Sequence, residues 1–164
     1  MLPPWAVVTA ERRAHIERVA ALIALWADEL HVTTPERERW LSAAWLHDAL
    51  RDAPAATELD HGPQCADRLA REGERDQGVL DAVRYHSLGY AGWDDVGKML
   101  YLADHLEPGR TFDAAARAAL RGRMPAQREP VLREVAQRRI EWIVRSGWPL
   151  APETVSFWNK LVTA

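Results

Sequence analysis

The stretch Glu36 to Leu50, ERERWLSAAWLHDAL, decides how this chain folds. Its apolar residues recur at helical intervals: Trp40, Ala44 and His47 form one row, and Leu41, Trp45 and Asp48 the row beside it. A helix over these residues has a buried face, and that face ends in two polar side chains, His47 and Asp48. Thr34-Pro35 gives the start, a capping side chain followed by proline at the first helical position.

The same pattern extends in both directions. Upstream, Thr9 caps a first helix in which Ile16, Val19, Ile23, Trp26 and Leu30 recur every three or four residues, with His15 on the arc of Val19, Leu22 and Trp26. His31, at the end of that helix, faces its negative pole and is assigned no role. Downstream, a loop with Pro54 leads to a third helix from Asp60-His61-Gly62-Pro63 to about Arg71. Gly73 and Gly78 bracket a break, after which Val79, Val83 and His86 share a face. Ser87 to Trp93 reads as a loop, and Asp94 or Asp95 caps a fifth helix that ends near Asp104 to Leu106. Glu107-Pro108-Gly109-Arg110 is the turn out. Beyond Phe112 come an Ala-rich helix to about Arg121, a long helix from Pro130 to Ser146 closed by Gly147, and a short one from Pro152 to Leu161.

Composition agrees with this all-α reading. Alanine occurs 27 times, against four isoleucines and seven threonines, which leaves few strand formers in 164 residues. The length suits a single domain spanning 1–164, with no second catalytic domain. A net charge of −3 gives no electrostatic footprint for duplex DNA or an anionic membrane, and no run of about 18 apolar residues occurs. With no signal-like leader, the expected location is the cytoplasm. The lone Cys65 has no disulfide or CxxC partner, so any metal must be held by nitrogen and oxygen. The basic residues are 19 Arg and two Lys, which reads mainly as base composition.

Six positions, His15, His47, Asp48, His61, His86 and Asp104, open or close inward-facing helical segments. Each histidine alone is more often a hydrogen-bonded core residue than a ligand, but buried polar groups need a partner. The ordered set H…HD…H…H…D is what points to metal, and its last Asp lies in Lys98-Met99-Leu100-Tyr101-Leu102-Ala103-Asp104.

AAWLHDALRD at 43–52, HGP at 61–63, AVRYHSLGYAG at 82–92 and KMLYLADHLEPGR at 98–110 together resemble the HD-domain metal-dependent phosphohydrolases, and within them the YqeK group. That resemblance spans about residues 10–113, with a weaker echo at PETVSFWN near the end, leaving 114–164 as a helical extension. It implies an HD-type bundle of about seven to eight helices and an activity similar to symmetrical diadenosine tetraphosphate hydrolases, which cut the bridge into two ADP. By the same resemblance, His15, His47, Asp48 and Asp104 hold a first divalent ion, and His61 and His86 a second, with Asp48 bridging and serving catalysis. Two such ions about 3.5 to 4 Å apart lower the pKa of a bridging water and clamp a phosphoryl oxygen for in-line attack. Iron or manganese is favoured by resemblance, while the donor set also suits Co, Ni, Zn or Mg.

A polyphosphate needs further positive charge, for which Arg51, Lys98 and Arg110 are the candidates. Ser87 can bring a hydroxyl and Gly89 a close backbone approach to the nucleotide, or the two form a plain turn. Asp52, four residues after Asp48, can order or deprotonate the attacking water, or be a solvated loop carboxylate. Trp93 can stack on adenine, though core packing is the commoner use, and His105 is expected to point away from the site. Three positions depart from the group's pattern: Arg51 replaces the common Lys, Ser87 replaces Thr, and His105 replaces an aromatic residue.

Rival readings are a nucleotidase that releases phosphate from nucleotides, a di-iron oxygenase on the same scaffold, and a non-catalytic nucleotide-binding protein. Free phosphate, oxygen consumption, or metal without turnover would separate them. The expected partner is a nucleotide, with no nucleic acid and no membrane; oligomeric state is left open, a homodimer included.

Overall fold

The computed structural model describes every residue except Ala55 and Ala56. Among the described residues there are eight helices and no strand. They are α1 (Ala10–Glu29), α2 (Thr34–Leu46), α3 (His61–Arg71), α4 (Gln77–Tyr85), α5 (Asp95–Leu106), α6 (Ala114–Arg121), α7 (Arg128–Arg145) and α8 (Pro152–Thr163). The protein is an all-α single domain, and none of these helices is long and apolar enough to cross a membrane.

Caps set most of the boundaries. Thr9 accepts from the Arg12 N–H at α1, Asp76 from Val79 at α4, and Asp94 from Val96 at α5. At α2 the cap is Thr33 rather than Thr34, so Pro35 lies one residue further into the first turn, where its missing N–H is harmless. Helix α1 closes through His31 in the left-handed region (φ 50°), with the His31 N–H on the Asp28 carbonyl and the Val32 N–H on the Ala27 carbonyl.

Helix α2 stops at Leu46, four residues earlier than its apolar pattern suggests. The N-terminal segment competes for its backbone: the Val7 N–H bonds the Ala49 carbonyl, and the Asp52 N–H bonds the Val7 carbonyl instead of continuing a helical ladder. His47 and Asp48 therefore leave the helix end on a series of turns that aims both into the bundle.

The main core is built on α1, α2, α4 and α5, around Ile23, Trp26, Trp40, Met99, Leu100 and Leu102. Helices α6, α7 and α8 close it with Leu120, Val131, Leu132, Val135 and Phe157. A smaller cluster, Ala49, Cys65, Ala66, Leu69, Leu80 and Val83, lies between α3, α4 and the turns after α2. Gly62 allows α3 to approach α4: a Cβ there would sit 2.8 and 2.9 Å from the carbonyl oxygens of Arg84 and Val83. The C-terminal helices are fastened to the loop after α4 by three carbonyls, with Arg139 on Ser87, Thr154 on Leu88 and Lys160 on Ala91.

Arg39 ties three elements together. From α2 it donates to Glu36, to both oxygens of Asp76 and to Asp94, which cap α4 and α5 respectively. Arg39→Ala is expected to lower unfolding stability by about 1–2 kcal/mol, since charge-assisted bonds are the stronger ones but this group is partly solvated. Urea denaturation checks this; a change under about 0.3 kcal/mol would reduce the network to surface decoration.

Candidate metal centre

Four imidazoles converge from four elements, all nearly or fully buried: His15 from α1, His47 after α2, His61 at the start of α3 and His86 after α4. In each ring Nδ1 is engaged on the outer side. His47 Nδ1 lies 2.8 Å from the Ala44 carbonyl, His61 Nδ1 3.2 Å from that of Thr57, and His86 Nδ1 2.8 Å from that of Val83. His15 Nδ1 lies 3.0 Å from Glu107 Oε1. Carbonyls and carboxylates only accept, so Nδ1 carries the proton and a neutral ring turns its Nε2 lone pair inward.

Those Nε2 atoms meet two carboxylates. Asp48 faces both ways: Oδ1 is 3.1 Å from His61 Nε2 and 3.3 Å from His86 Nε2, while Oδ2 is 3.7 Å from His47 Nε2 and 3.8 Å from His15 Nε2. Asp104 Oδ1 lies 3.0 Å from His15 Nε2 and 4.0 Å from His47 Nε2. Two ligand groups result, His15 with His47 and Asp104, and Asp48 with His61 and His86.

A cation fits this arrangement. The Nε2 atoms of His15 and His47 are buried without a hydrogen bond, since the approach of Asp104 to His15 is badly directed, and an orphaned buried nitrogen is costly. His61 and His86 point Nε2 atoms at each other across 3.0 Å, which places two lone pairs face to face when both rings are neutral. A divalent ion relieves both conditions, and the donors are the N/O set expected without thiolate.

Both carboxylates of the centre are held ionised by cationic neighbours. Burial works against ionising Asp48, but the surrounding imidazoles hold it well below the usual carboxylate range. Asp104 is likewise held low against burial, chiefly by Arg110, whose guanidinium is 2.6 Å from Oδ1. Burial pushes His47 down to about 4. At His15 burial is outweighed by Asp104 and Glu107, which raise it to about 9; a metal at Nε2 takes the place of that proton.

The centre opens into a cavity of about 390 Å³ lined by six arginines, Arg12, Arg51, Arg110, Arg117, Arg138 and Arg139, and by four carboxylates, Asp48, Glu58, Asp104 and Asp113. Sequence reasoning found two of these six. Arg51 lines the cavity 3.7 Å from Glu58, and Ser87 lines it too, its carbonyl held by Arg139. Arg110 reaches Asp104 across the exit turn.

Other expectations need correction. Lys98 is not on the cavity wall, because six helical residues rotate it about 240° from Asp104. Gly89 does make a close approach at φ 86°, but to Phe157, whose ring would be 2.4 Å from a Cβ, and not to the cavity. Trp93 follows the commoner use, core packing, buried against Tyr101 and Phe157 with its Nε1 donating to the Asp81 carbonyl. Asp52 accepts the Thr9 N–H at 2.8 Å and stands 3.9 Å from Arg12, outside the lining. His105 does line the cavity, where burial and Arg117 push it down to about 3.

Sequence reasoning also missed two supporting residues. Arg12, one turn before His15 on α1, donates to Asp48 Oδ2 at 2.8 Å. Glu107, only 1% exposed, accepts from Arg18 Nε at 2.6 Å and from the Gly109 N–H at 2.6 Å while it holds His15. The helical register of Arg12 against His15 was a signal for the first; an acidic residue in a Pro-Gly turn gave none for the second.

Fold and site together define an all-helical protein whose metal ligands come from separate helices in the order H…HD…H…H…D. The chain belongs to the HD domain family, whose model matches residues 12–109, and metal dependence comes with that family. It is 27% identical to the symmetrical bis(5'-nucleosyl)-tetraphosphatase of Bacillus subtilis (strain 168) over 165 residues, covering 96% of this chain and 84% of that protein. Proteins of the same name from Staphylococcus aureus and Halalkalibacterium halodurans are 26% and 28% identical, over 63% and 64% of this chain but only 54% and 56% of theirs. A crystal structure from Clostridium acetobutylicum, described as a "predicted HD superfamily hydrolase involved in NAD metabolism", superposes with a TM-score of 0.80 at 22% identity, covering 95% of this chain and 91% of that one.

Proposed function

We propose that this protein is a metal-dependent phosphohydrolase that cleaves nucleoside polyphosphates, with diadenosine tetraphosphate, cut symmetrically into two ADP, as its substrate. One observation carries the reading: six arginines, against four carboxylates, line a cavity that also holds the candidate ligands Asp48, Asp104, His61 and His86. Such charge has no use for an uncharged organic substrate and suits a chain of phosphates. The relatives named as symmetrical tetraphosphatases support the dinucleotide in particular.

His15, His47, Asp48 and Asp104 would hold one divalent ion and Asp48, His61 and His86 another. Iron or manganese is favoured by the resemblance to HD-domain hydrolases, and the thiolate-free N/O set is compatible with either. Bound there, such ions supply a water of lowered pKa and a Lewis-acid grip on a phosphoryl oxygen. The protein's part is positioning. Arg12 fixes Asp48 through Oδ2, and Asp52 acts only through Arg12 and Thr9. Arg110 sits beside Asp104, and Arg139 and Arg117 line the same cavity, where they would neutralise phosphate oxygens before and after cleavage. The segment 10–113 contributes the ligands and 114–164 the far arginine wall, so the two work as one HD unit in the cytoplasm.

The test is product analysis after anaerobic purification and elemental analysis. Diadenosine tetraphosphate should yield ADP alone. Inorganic phosphate from mononucleotides with the dinucleotide untouched would favour a nucleotidase, and oxygen uptake without anhydride cleavage an oxygenase.

A further inference from the structure

Next to the catalytic cavity lies a second hollow of about 550 Å³ on the outer face of α7. The two share Phe112, Asp113, Arg138 and Trp142, so one groove runs over a ridge formed by two aromatic side chains. Phe112 is 72% exposed and Trp142 38%, which is unusual for rings of this size. Trp142 is also held in place: Gly147, at φ 72°, turns the chain so that Trp148 packs edge-on against it at 5.0 Å.

The two halves of the groove differ in charge. The catalytic cavity is rich in arginine, whereas Glu134, Glu141 and Asp113 outnumber Arg138 and Arg145 in the outer hollow. A phosphate chain belongs in the first. Neutral rings and hydroxyls, which stack and donate to carboxylates, suit the second.

Resting on the phosphohydrolase reading above, we propose that the outer hollow is the subsite for the second nucleoside of a dinucleoside polyphosphate. Its base stacks on the Phe112 and Trp142 ridge, and its ribose hydroxyls donate to Glu141 and Asp113. This subsite is what makes the site prefer a long dinucleotide to a mononucleotide with the same phosphate chain.

Two variants test it, assayed with diadenosine tetraphosphate and with adenosine 5'-tetraphosphate, which lacks the second nucleoside. Gln137→Trp fills the hollow from an exposed position on α7, and Trp142→Ala removes the stacking ring. Gln137→Trp should raise KM for the dinucleotide about tenfold. Trp142→Ala should raise it by about 5- to 100-fold, the range of one base stacked on an aromatic ring. For Gln137→Trp, which is outside the catalytic cavity, KM for adenosine tetraphosphate should stay within about twofold, kcat should hold, and circular dichroism should be unchanged; Trp142 also lines that cavity and carries the Arg139 guanidinium 5.7 Å from its ring, so Trp142→Ala is read by the larger rise in KM for the dinucleotide than for adenosine tetraphosphate. Calorimetric affinities on metal-stripped protein should show the same ratio. Equal changes for both substrates, or no change for either, would overturn the subsite. So would a dimer that these variants dissociate without moving either KM, because the ridge would then be an interface between copies. Wild-type protein that leaves the dinucleotide uncut sinks the functional reading and this one with it; a cut dinucleotide with an unaltered KM ratio sinks only this one.

Discussion

Asp48→Asn is expected to reduce hydrolysis about 10³-fold or more while the helical fold persists. Among the described residues Asp48 alone is a carboxylate facing both ligand groups, with Oδ1 toward His61 and His86 and Oδ2 toward His15 and His47. An amide has nearly the same shape, but it removes the negative charge and turns an N–H₂ donor toward one of the two groups, where Nε2 lone pairs already point. Whichever way the amide sits, the His61 and His86 group is left without its carboxylate, while His15 and His47 keep Asp104. Metal-ion stabilisation of a transition state is worth several kcal/mol, and each 1.4 kcal/mol is about tenfold in rate. The measurement is kcat with diadenosine tetraphosphate beside metal content per chain. Retained metal with full activity would remove Asp48 from the centre.

The fold was largely legible because its signals are local. Thr9, Asp94 and the Gly73 to Gly78 break mark helix ends through caps and turns, and the apolar rows of α1 and α2 need only the 3.6-residue period. The early end of α2 was not legible, since Val7 takes backbone groups from residues some 40 positions away. Neither was Glu107: Glu-Pro-Gly-Arg reads as a solvated turn, and only the packing of α1 against α5 brings Arg18 and His15 onto it. For the ligands, the ordered set H…HD…H…H…D and the resemblance to HD-domain hydrolases pointed to one centre, and the structure brings all six side chains together. The arginine wall was hidden differently. Arg117, Arg138 and Arg139 lie in a chain already dense in arginine, and nothing within α6 or α7 distinguishes residues facing the cavity from residues facing solvent. Lys98 could have been set aside from the helical wheel alone.

Glu107→Gln is expected to weaken metal binding about 10- to 100-fold, the range for removing a carboxylate that orients a ligating histidine, and to cost about 1–3 kcal/mol of stability. The native carboxylate accepts from three donors, His15, Arg18 and the Gly109 N–H. Glutamine keeps one oxygen for them and presents a donor in place of the other. If that N–H₂ meets Arg18, two donors oppose each other. If it meets His15, Nδ1 must accept, the proton moves to Nε2, and the lone pair that faces Asp104 is lost. Because the fault lies in the ring's tautomer and not in the ligand set, excess metal should restore activity to Glu107→Gln but not to Asp48→Asn; a purely structural role would show no such rescue. The acid limb of stability should also report Glu107. Glu107 is held at about 2, with burial outweighed by its bonds to His15 and Arg18, against an ordinary value of 4.5. Its contribution is thus complete above pH 4.5 and disappears as pH falls toward 2, a loss that melting curves should show in the wild type and find missing in Glu107→Gln.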